Sequence, residues 1–225
     1  MGLLPSLPGE VRGAHYTHRY LPAEGIGGDI YSIAHLEDGL IGLMIADVSG
    51  HGVSAALISA MVKTSFENHS RLSRDPLAWA LGMNRDLSRN TLDDQFATAW
   101  VASLDPGSHR LLHVVAGHPP PIRIRQGARG GLHQPDSLQG KGFMMGLDED
   151  LPFTLQETQL LPGDRLVLYT DGLVEVERED RSMLGDDGLM KLCAELPETA
   201  DEAADFLVGK ARELNAPVPF HDDVT

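Results

Sequence analysis

Apolar residues in the early part of the chain come in short β-branched or aromatic runs broken by Gly and Asp. This rhythm predicts strands and tight turns within residues 11–20, 15–36 and 40–48. Glu37-Asp38-Gly39, between Leu36 and Leu40, is a hairpin signal because Asp-Gly accepts the backbone of a tight turn. Ile41, Leu43 and Ile45 alternate with Gly42, Met44 and Ala46, so both faces of that strand can be buried, and Asp47 falls at its end. After Gly50 and Gly52 the period becomes helical: Val53, Ala56, Leu57, Ala60, Met61 and Thr64 form a stripe over residues 53–69 of the kind that faces a core. Asp75-Pro76 starts a second helix, and Leu77, Ala80, Leu81, Asn84 and Leu87 carry its stripe to about residue 90.

The middle returns to strands at 96–104, 110–116 and 121–125, with a turn at Asp105-Pro106-Gly107, and their turn chemistry predicts an antiparallel meander. Residues 127–140 are glycine-rich and aperiodic, which reads as a loop. Phe143-Met144-Met145-Gly146-Leu147 suits core packing, with a place at a site entrance as the alternative. Strands at 152–160 and 165–170 form a further pair around Leu161-Pro162-Gly163-Asp164. Residues 186–196 and 199–215 read as helices, the second with Ala203, Phe206, Leu207, Lys210 and Leu214 along one side. The order predicts an α+β fold, a four-layer α/β/β/α sandwich of two mainly antiparallel sheets flanked by helices.

A chain of 225 residues that is 42% apolar can bury one sizeable core. Its 33 acidic against 18 basic side chains, a formal charge of -15, repel nucleic acid and anionic lipid, so neither is an expected partner. Part of the acidity fits a cation site, where converging carboxylates repel one another until a metal relieves them. The single Cys193 excludes an internal disulfide and a cysteine-rich zinc site, and fits a reducing compartment. No apolar run approaches the ~20 residues that span a bilayer, and no basic-then-apolar leader opens the chain, so a cytoplasmic location is expected.

Four acidic signatures are spread through the chain: Gly27-Gly28-Asp29, Asp47-Val48-Ser49-Gly50-His51-Gly52, Thr170-Asp171-Gly172 and His221-Asp222-Asp223-Val224-Thr225. Each sets an aspartate where an apolar run meets a turn, and hard divalent cations such as magnesium and manganese take such oxygen ligands. The pattern points to a metal-dependent hydrolase. Turn or helix-cap carboxylates are the alternative for Asp29, Asp47 and Asp171. Gly25, Gly27 and Gly28 match neither a dinucleotide fingerprint nor a P-loop.

The order and spelling of these signatures resemble the metal-dependent serine/threonine phosphatases of the protein phosphatase 2C superfamily (PPM), in particular the SpoIIE/RsbU-like branch. The resemblance runs through Leu21-Pro22-Ala23-Glu24, Gly28-Asp29-Ile30-Tyr31, Ala46-Asp47-Val48-Ser49-Gly50-His51-Gly52, Ala116-Gly117-His118-Pro119-Pro120, Leu168-Tyr169-Thr170-Asp171-Gly172 and Asp222-Asp223-Val224-Thr225. It implies the same sandwich fold and two divalent cations, Mn2+ or Mg2+. Asp47 would bridge them beside the main-chain carbonyl of Val48, Asp29 would serve one, and Asp171 and Asp222 the other, with Asp223 as the alternative at the C-terminus. Asp47 and Asp29 are then the catalytic carboxylates, acting through a metal-activated water, and no serine or cysteine nucleophile is needed.

The implied substrate is a phosphorylated anti-anti-sigma (STAS-type) protein, dephosphorylated in a bacterial partner-switching pathway that controls a sigma factor. A catalytically weak phosphoprotein-binding module is the alternative. Residues 1–10 read as a connector from an upstream sensor or receiver module, 11–225 as the phosphatase domain with its final strand cut short, and homodimerisation through regions outside the chain is left open. Arg19 is the candidate for holding the substrate phosphate, with a surface ion pair as the alternative. His51 and His118 read as structural rather than acid-base groups, and Glu24 and Asp94 as outer candidates more at home in solvent.

Overall fold

The computed structural model describes residues 9–23, 27–50, 52–91, 95–125, 135–215, 220 and 222–225. In chain order the elements are strands β1 (Gly9–Val11), β2 (Ala14–Tyr16), β3 (Ile30–His35) and β4 (Ile41–Val48), helices α1 (Gly52–Leu72) and α2 (Pro76–Asn90), strands β5 (Ala97–Asp105), β6 (Arg110–Ala116), β7 (Ile122–Ile124), β8 (Asp136–Ser137), β9 (Gln156–Gln159) and β10 (Arg165–Val167), and helices α3 (Asp171–Val174), α4 (Gly185–Cys193) and α5 (Ala200–Asn215). The described residues fall into two compact units, one drawn from 27–120 and 139–160, the other from 9–23, 121–138 and 161–225. Antiparallel sheets accompanied by helices make up both, as the α+β reading expects.

The first unit holds the five-stranded sheet β3-β4-β5-β6-β9. The predicted hairpin is present: Leu36 N–H donates to the Leu40 carbonyl at 3.0 Å around a single 3-10 turn, and β3 pairs with β4 from His35↔Ile41 to Ile30↔Ala46. Asp75 caps α2 by accepting the Leu77 N–H at 2.9 Å, with Pro76 following where its missing N–H costs nothing. Trp79 of α2 meets Phe66 of α1 edge-on, ring centroids 5.8 Å apart, in a core shared with Met44, Ala46 and Val48 of β4.

Helix α1 turns a different face inward from the predicted one. Val53, Leu57 and Thr64 are exposed, whereas Ala55, Ile58, Ser59, Val62, Ser65, Phe66 and Ser70 are buried. The buried serines are tolerated because their hydroxyls are bonded: Ser59 to the carbonyls of Gly28 (2.8 Å) and Ala55 (2.9 Å), Ser65 to Asp86 (2.6 Å) and Ser70 to the Glu67 carbonyl (3.3 Å).

The expected meander stops after two strands. β5 and β6 pair as predicted, but β7 joins the second unit's sheet, β10-β7-β8. Gly117, at φ 70, turns the chain away from β6, and the three prolines after His118, Pro119 to Pro121, carry no N–H with which to extend the ladder. Strands β9 and β10 likewise pair with β6 and β7 rather than with each other. Their connecting turn still forms, with Asp164 N–H donating to the Leu161 carbonyl at 3.0 Å. The 127–140 loop contains β8 and buried Leu138, while 126–134 lie outside the described residues.

The second unit's core gathers Ile122, Ile124, Tyr169, Leu189, Cys193, Leu207 and Ala211. Burial pushes the Cys193 thiol up to about 12. Of the stripe predicted for α5, Ala203 and Leu207 face this core and Phe206 and Leu214 are partly buried. β1 and β2 form a hairpin whose turn residues Arg12 and Gly13 have φ 51 and 83, the left-handed pair that a two-residue turn requires. Among the described residues no helix is long and apolar enough to cross a membrane.

One buried group makes the fold acid-sensitive. His113 of β6 is 1% exposed, and its Nδ1 accepts the Trp100 indole N–H at 3.2 Å. Burial lowers its pKa from 6.5 to about 4. The unfolded chain therefore binds the proton first, so this contribution to stability is complete above about pH 6.5 and is lost as the pH falls through 4. At full protonation the loss is roughly 3 kcal/mol. Urea unfolding should show a midpoint that falls between pH 6.5 and 4 more steeply for the natural chain than for His113→Asn. Equal slopes would assign the acid response to other groups.

Candidate metal site

In the first unit the register Ile30↔Ala46 brings Asp29 and Asp47 just past the last β3–β4 pair, at one end of the sheet. Asp29 is 6% exposed, and Asp47 sits opposite Thr98 of β5. Gly28 is required there by space: a Cβ on it would stand 2.5 Å from the Val48 carbonyl oxygen and 3.1 Å from Asp47 Oδ1. The Ser59 hydroxyl, bonded to the Gly28 carbonyl, ties this backbone to α1. Beyond Val48 the chain stays tied to the residue before β5, with Ser49 N–H donating to the Phe96 carbonyl at 2.9 Å and Phe96 N–H to Ser49 Oγ at 2.9 Å. Gly50 and Gly52 then adopt φ 92 and 73. His118, 3% exposed, lies with Nδ1 2.9 Å from Thr98 Oγ1, in keeping with a structural histidine at a strand end.

In the second unit the C-terminal residues are held from two sides. Thr225 N–H donates to Thr170 Oγ1 at 3.1 Å and Thr170 N–H to the Thr225 carbonyl at 3.3 Å. Leu21 and Val224 exchange both backbone bonds, at 2.9 and 3.0 Å. Gly172 leaves no room for a side chain, because its Cβ would overlap the Asp223 carbonyl oxygen. Asp171, the first residue of α3, thus sits beside Asp222. The field between them is visible in its acidity: burial, and then the Asp222 charge, raise the Asp171 pKa.

The two terminal aspartates differ. Asp223 is 4% exposed and accepts the Ala23 N–H at 2.9 Å, whereas Asp222 is exposed and accepts the Asp223 N–H at 2.8 Å. Sequence reasoning passed over Glu175. Its pKa is raised by burial and then by Asp171 and Asp222, which places a further carboxylate in the same field. The i, i+4 spacing from Asp171 on α3 was the available signal.

Arg19 is bound up in ion pairs. Its Nε donates to Asp205 at 2.7 Å, Nη1 lies 3.7 Å from Asp201, and the hydrogen bond to Asp205 raises its pKa further. These contacts are those of the surface ion pair given as the alternative reading of Arg19. Glu24, His51 and Asp94 lie outside the described residues.

The donors on show are all oxygen, carboxylate and main-chain carbonyl, and Asp47 Oδ1 and the Val48 carbonyl oxygen both face the bare Gly28 backbone. That set suits a hard divalent cation and not a soft one. Among the described residues no three His, Cys, Asp or Glu side chains gather closely enough to form a cation site by themselves.

The fold is that of a protein phosphatase 2C domain. The SiaA-PP2C domain of Pseudomonas aeruginosa superposes with a TM-score of 0.79 at 22% identity, covering 92% of this chain and 82% of that one. RsbX, a structure described in complex with magnesium, gives a TM-score of 0.64 at 17% identity, covering 92% of this chain and 89% of its own. Within that class the chain belongs to the SpoIIE family: the model for Stage II sporulation protein E matches residues 37–225. It is 27% identical over 210 residues to the phosphoserine phosphatase RsbU of Bacillus subtilis (strain 168), a match that covers 91% of this chain and spans 59% of RsbU.

Proposed function

We propose that this chain is a metal-dependent phosphoprotein phosphatase that hydrolyses phosphoserine or phosphothreonine through water, with no phosphoenzyme. The observation that carries the reading is the bare Gly28 backbone, which leaves room for both Asp47 Oδ1 and the Val48 carbonyl oxygen at the strand end shared with Asp29 in a SpoIIE-family chain. Asp29, Asp47 and the Val48 carbonyl would hold metal in the first unit, and Asp171 and Asp222 in the second. When bound, Mn2+ or Mg2+ neutralises charge on the phosphoryl oxygens and lowers the pKa of a water toward neutrality.

The chain's own part is to fix those oxygens on backbone that cannot swing. Strand pairing and the Ser59 bond do this for the first set, and the Thr170–Thr225 and Leu21–Val224 bonds for the second. Asp222 rather than Asp223 is the proposed terminal ligand, because Asp223 is buried and bonded to Ala23 while Asp222 shares the field of Asp171. The buried Cys193 thiol is too weak an acid to act as a nucleophile.

For the substrate we propose a phosphorylated STAS-type anti-anti-sigma protein, in a partner-switching pathway and a cytoplasmic setting. The likeness to RsbU supports this. The test is phosphate release from such a protein with manganese and with chelator. Manganese-dependent release is expected. No release from a folded chain that still captures the phosphoprotein would replace this reading with that of a binding module.

A further inference from the structure

Residues 17–20 lie in no helix or strand, yet they lead directly into Leu21 and Ala23, the residues that hold Val224 and Asp223. Their place on α5 depends on side-chain contacts. Thr17 Oγ1 donates to Asp201 at 2.6 Å. Arg19 spreads its guanidinium over Asp205 (Nε, 2.7 Å), Thr17 Oγ1 (Nη1, 3.0 Å), the His18 carbonyl (Nη1, 2.8 Å) and the Asp201 carbonyl (Nη2, 3.5 Å). A planar fork used on several acceptors fixes the orientation of a segment as well as its position.

Three contacts then run in series. Arg19 ties the segment to α5, the segment pairs Leu21 with Val224 and Ala23 with Asp223, and Asp222 follows from the same short stretch of backbone. On the opposite side that stretch is fixed by Thr170 and by the lack of a side chain at Gly172.

We propose that Arg19 is a positioning residue for the cation ligands: by clamping residues 17–23 to α5 it sets the register of residues 222–225, and with it the Asp222 carboxylate beside Asp171. The inference rests on the reading of Asp171 and Asp222 as metal ligands. It also replaces a direct hold of Arg19 on substrate phosphate, and the two roles differ in what Asp205 does. A positioning arginine needs Asp205, so losing either partner has the same effect. A phosphate-holding arginine would be released for its task when Asp205 is removed.

The experiment compares the natural chain with Arg19→Ala, Asp205→Ala and the double variant, by calorimetric titration with manganese and by hydrolysis of p-nitrophenyl phosphate. Each single substitution should weaken manganese binding about fivefold, the scale of a partly exposed ion pair with added hydrogen bonds, and the double variant should be no worse than either single one. The KM for p-nitrophenyl phosphate at saturating manganese should stay within about twofold of the natural value. Amide exchange at Val224, whose N–H is bonded to Leu21, should quicken in each single variant without added metal.

Unchanged manganese affinity in Asp205→Ala, or a raised KM confined to Arg19→Ala, overturns the proposal while leaving the phosphatase reading in place. A natural chain that binds no manganese overturns the metal reading and this inference with it. Asp205 is exposed, so its variant keeps the test decisive if Arg19→Ala fails to fold.

Discussion

Asp47→Asn is expected to lower phosphate release about a hundredfold or more at sub-saturating manganese, since loss of even an outer-shell partner of a metal ligand costs 10–100-fold. The substitution keeps the shape of the side chain and removes its charge. Backbone pairing of Asp47 with Thr98 and of Val48 with Ala97 is untouched, so the strand end and the turn after it should persist. What is lost is an anionic oxygen donor beside the Val48 carbonyl, and a neutral carboxamide is a poor replacement before a hard cation. Steady-state release across a manganese series, with near-ultraviolet circular dichroism as the check on folding, measures it. Activity within about tenfold of the natural chain at low manganese would remove Asp47 from the ligand set.

Gly172→Ala is the second large effect, and it acts through the backbone. A methyl group there would be buried in the Asp223 carbonyl oxygen and would stand 3.0 Å from its carbon, and neither atom can rotate away as a side chain would. Residues 222–225 must therefore shift, at the expense of the Thr170–Thr225 bonds and the Leu21–Val224 pair. Losing two or three of these four hydrogen bonds at about 1 kcal/mol each costs roughly 2–3 kcal/mol, or a fall of roughly 5–10 °C in Tm for a chain of this size. Manganese affinity should fall along with Tm. A variant with natural Tm and natural amide exchange at Val224 would show that the C-terminal stretch tolerates the displacement and is not what fixes Asp222.

The sequence was most legible where one local rule acted alone. The Asp-Gly turn between β3 and β4 and the Asp-Pro start of α2 both follow from the chemistry of two residues, and both are present. The face of α1 was misread because Val53 and Leu57 outrank Ser59, Ser65 and Ser70 on any hydropathy count. A serine whose hydroxyl returns to a carbonyl can be buried at little cost, and only the partner reveals it.

The meander failed for a related reason. Strand propensity was correct for β6, β7, β9 and β10, but which strands pair depends on how a link such as Gly117-His118-Pro119-Pro120 leaves the sheet. At the site, the motif aspartates of each unit were legible as residues. Their support was not: Ser59 lies far along the chain from Gly28, and Arg19 far from Asp205, so neither pairing leaves a local trace. Short helix α3 was hidden because Asp171-Gly172 spells a turn as readily as a first helical residue.

The state of Cys193 has a practical side. It is the chain's single cysteine, it is fully buried, and its thiol ionises only near 12, so thiol reagents at neutral pH should find nothing to attack in the folded protein. A cysteine introduced at an exposed position such as Val53 would then be the only reactive sulfur. Fluorophores or spin labels could be attached there without first removing the native residue, which puts a reporter one position after Gly52, at the start of the helix that follows Asp47.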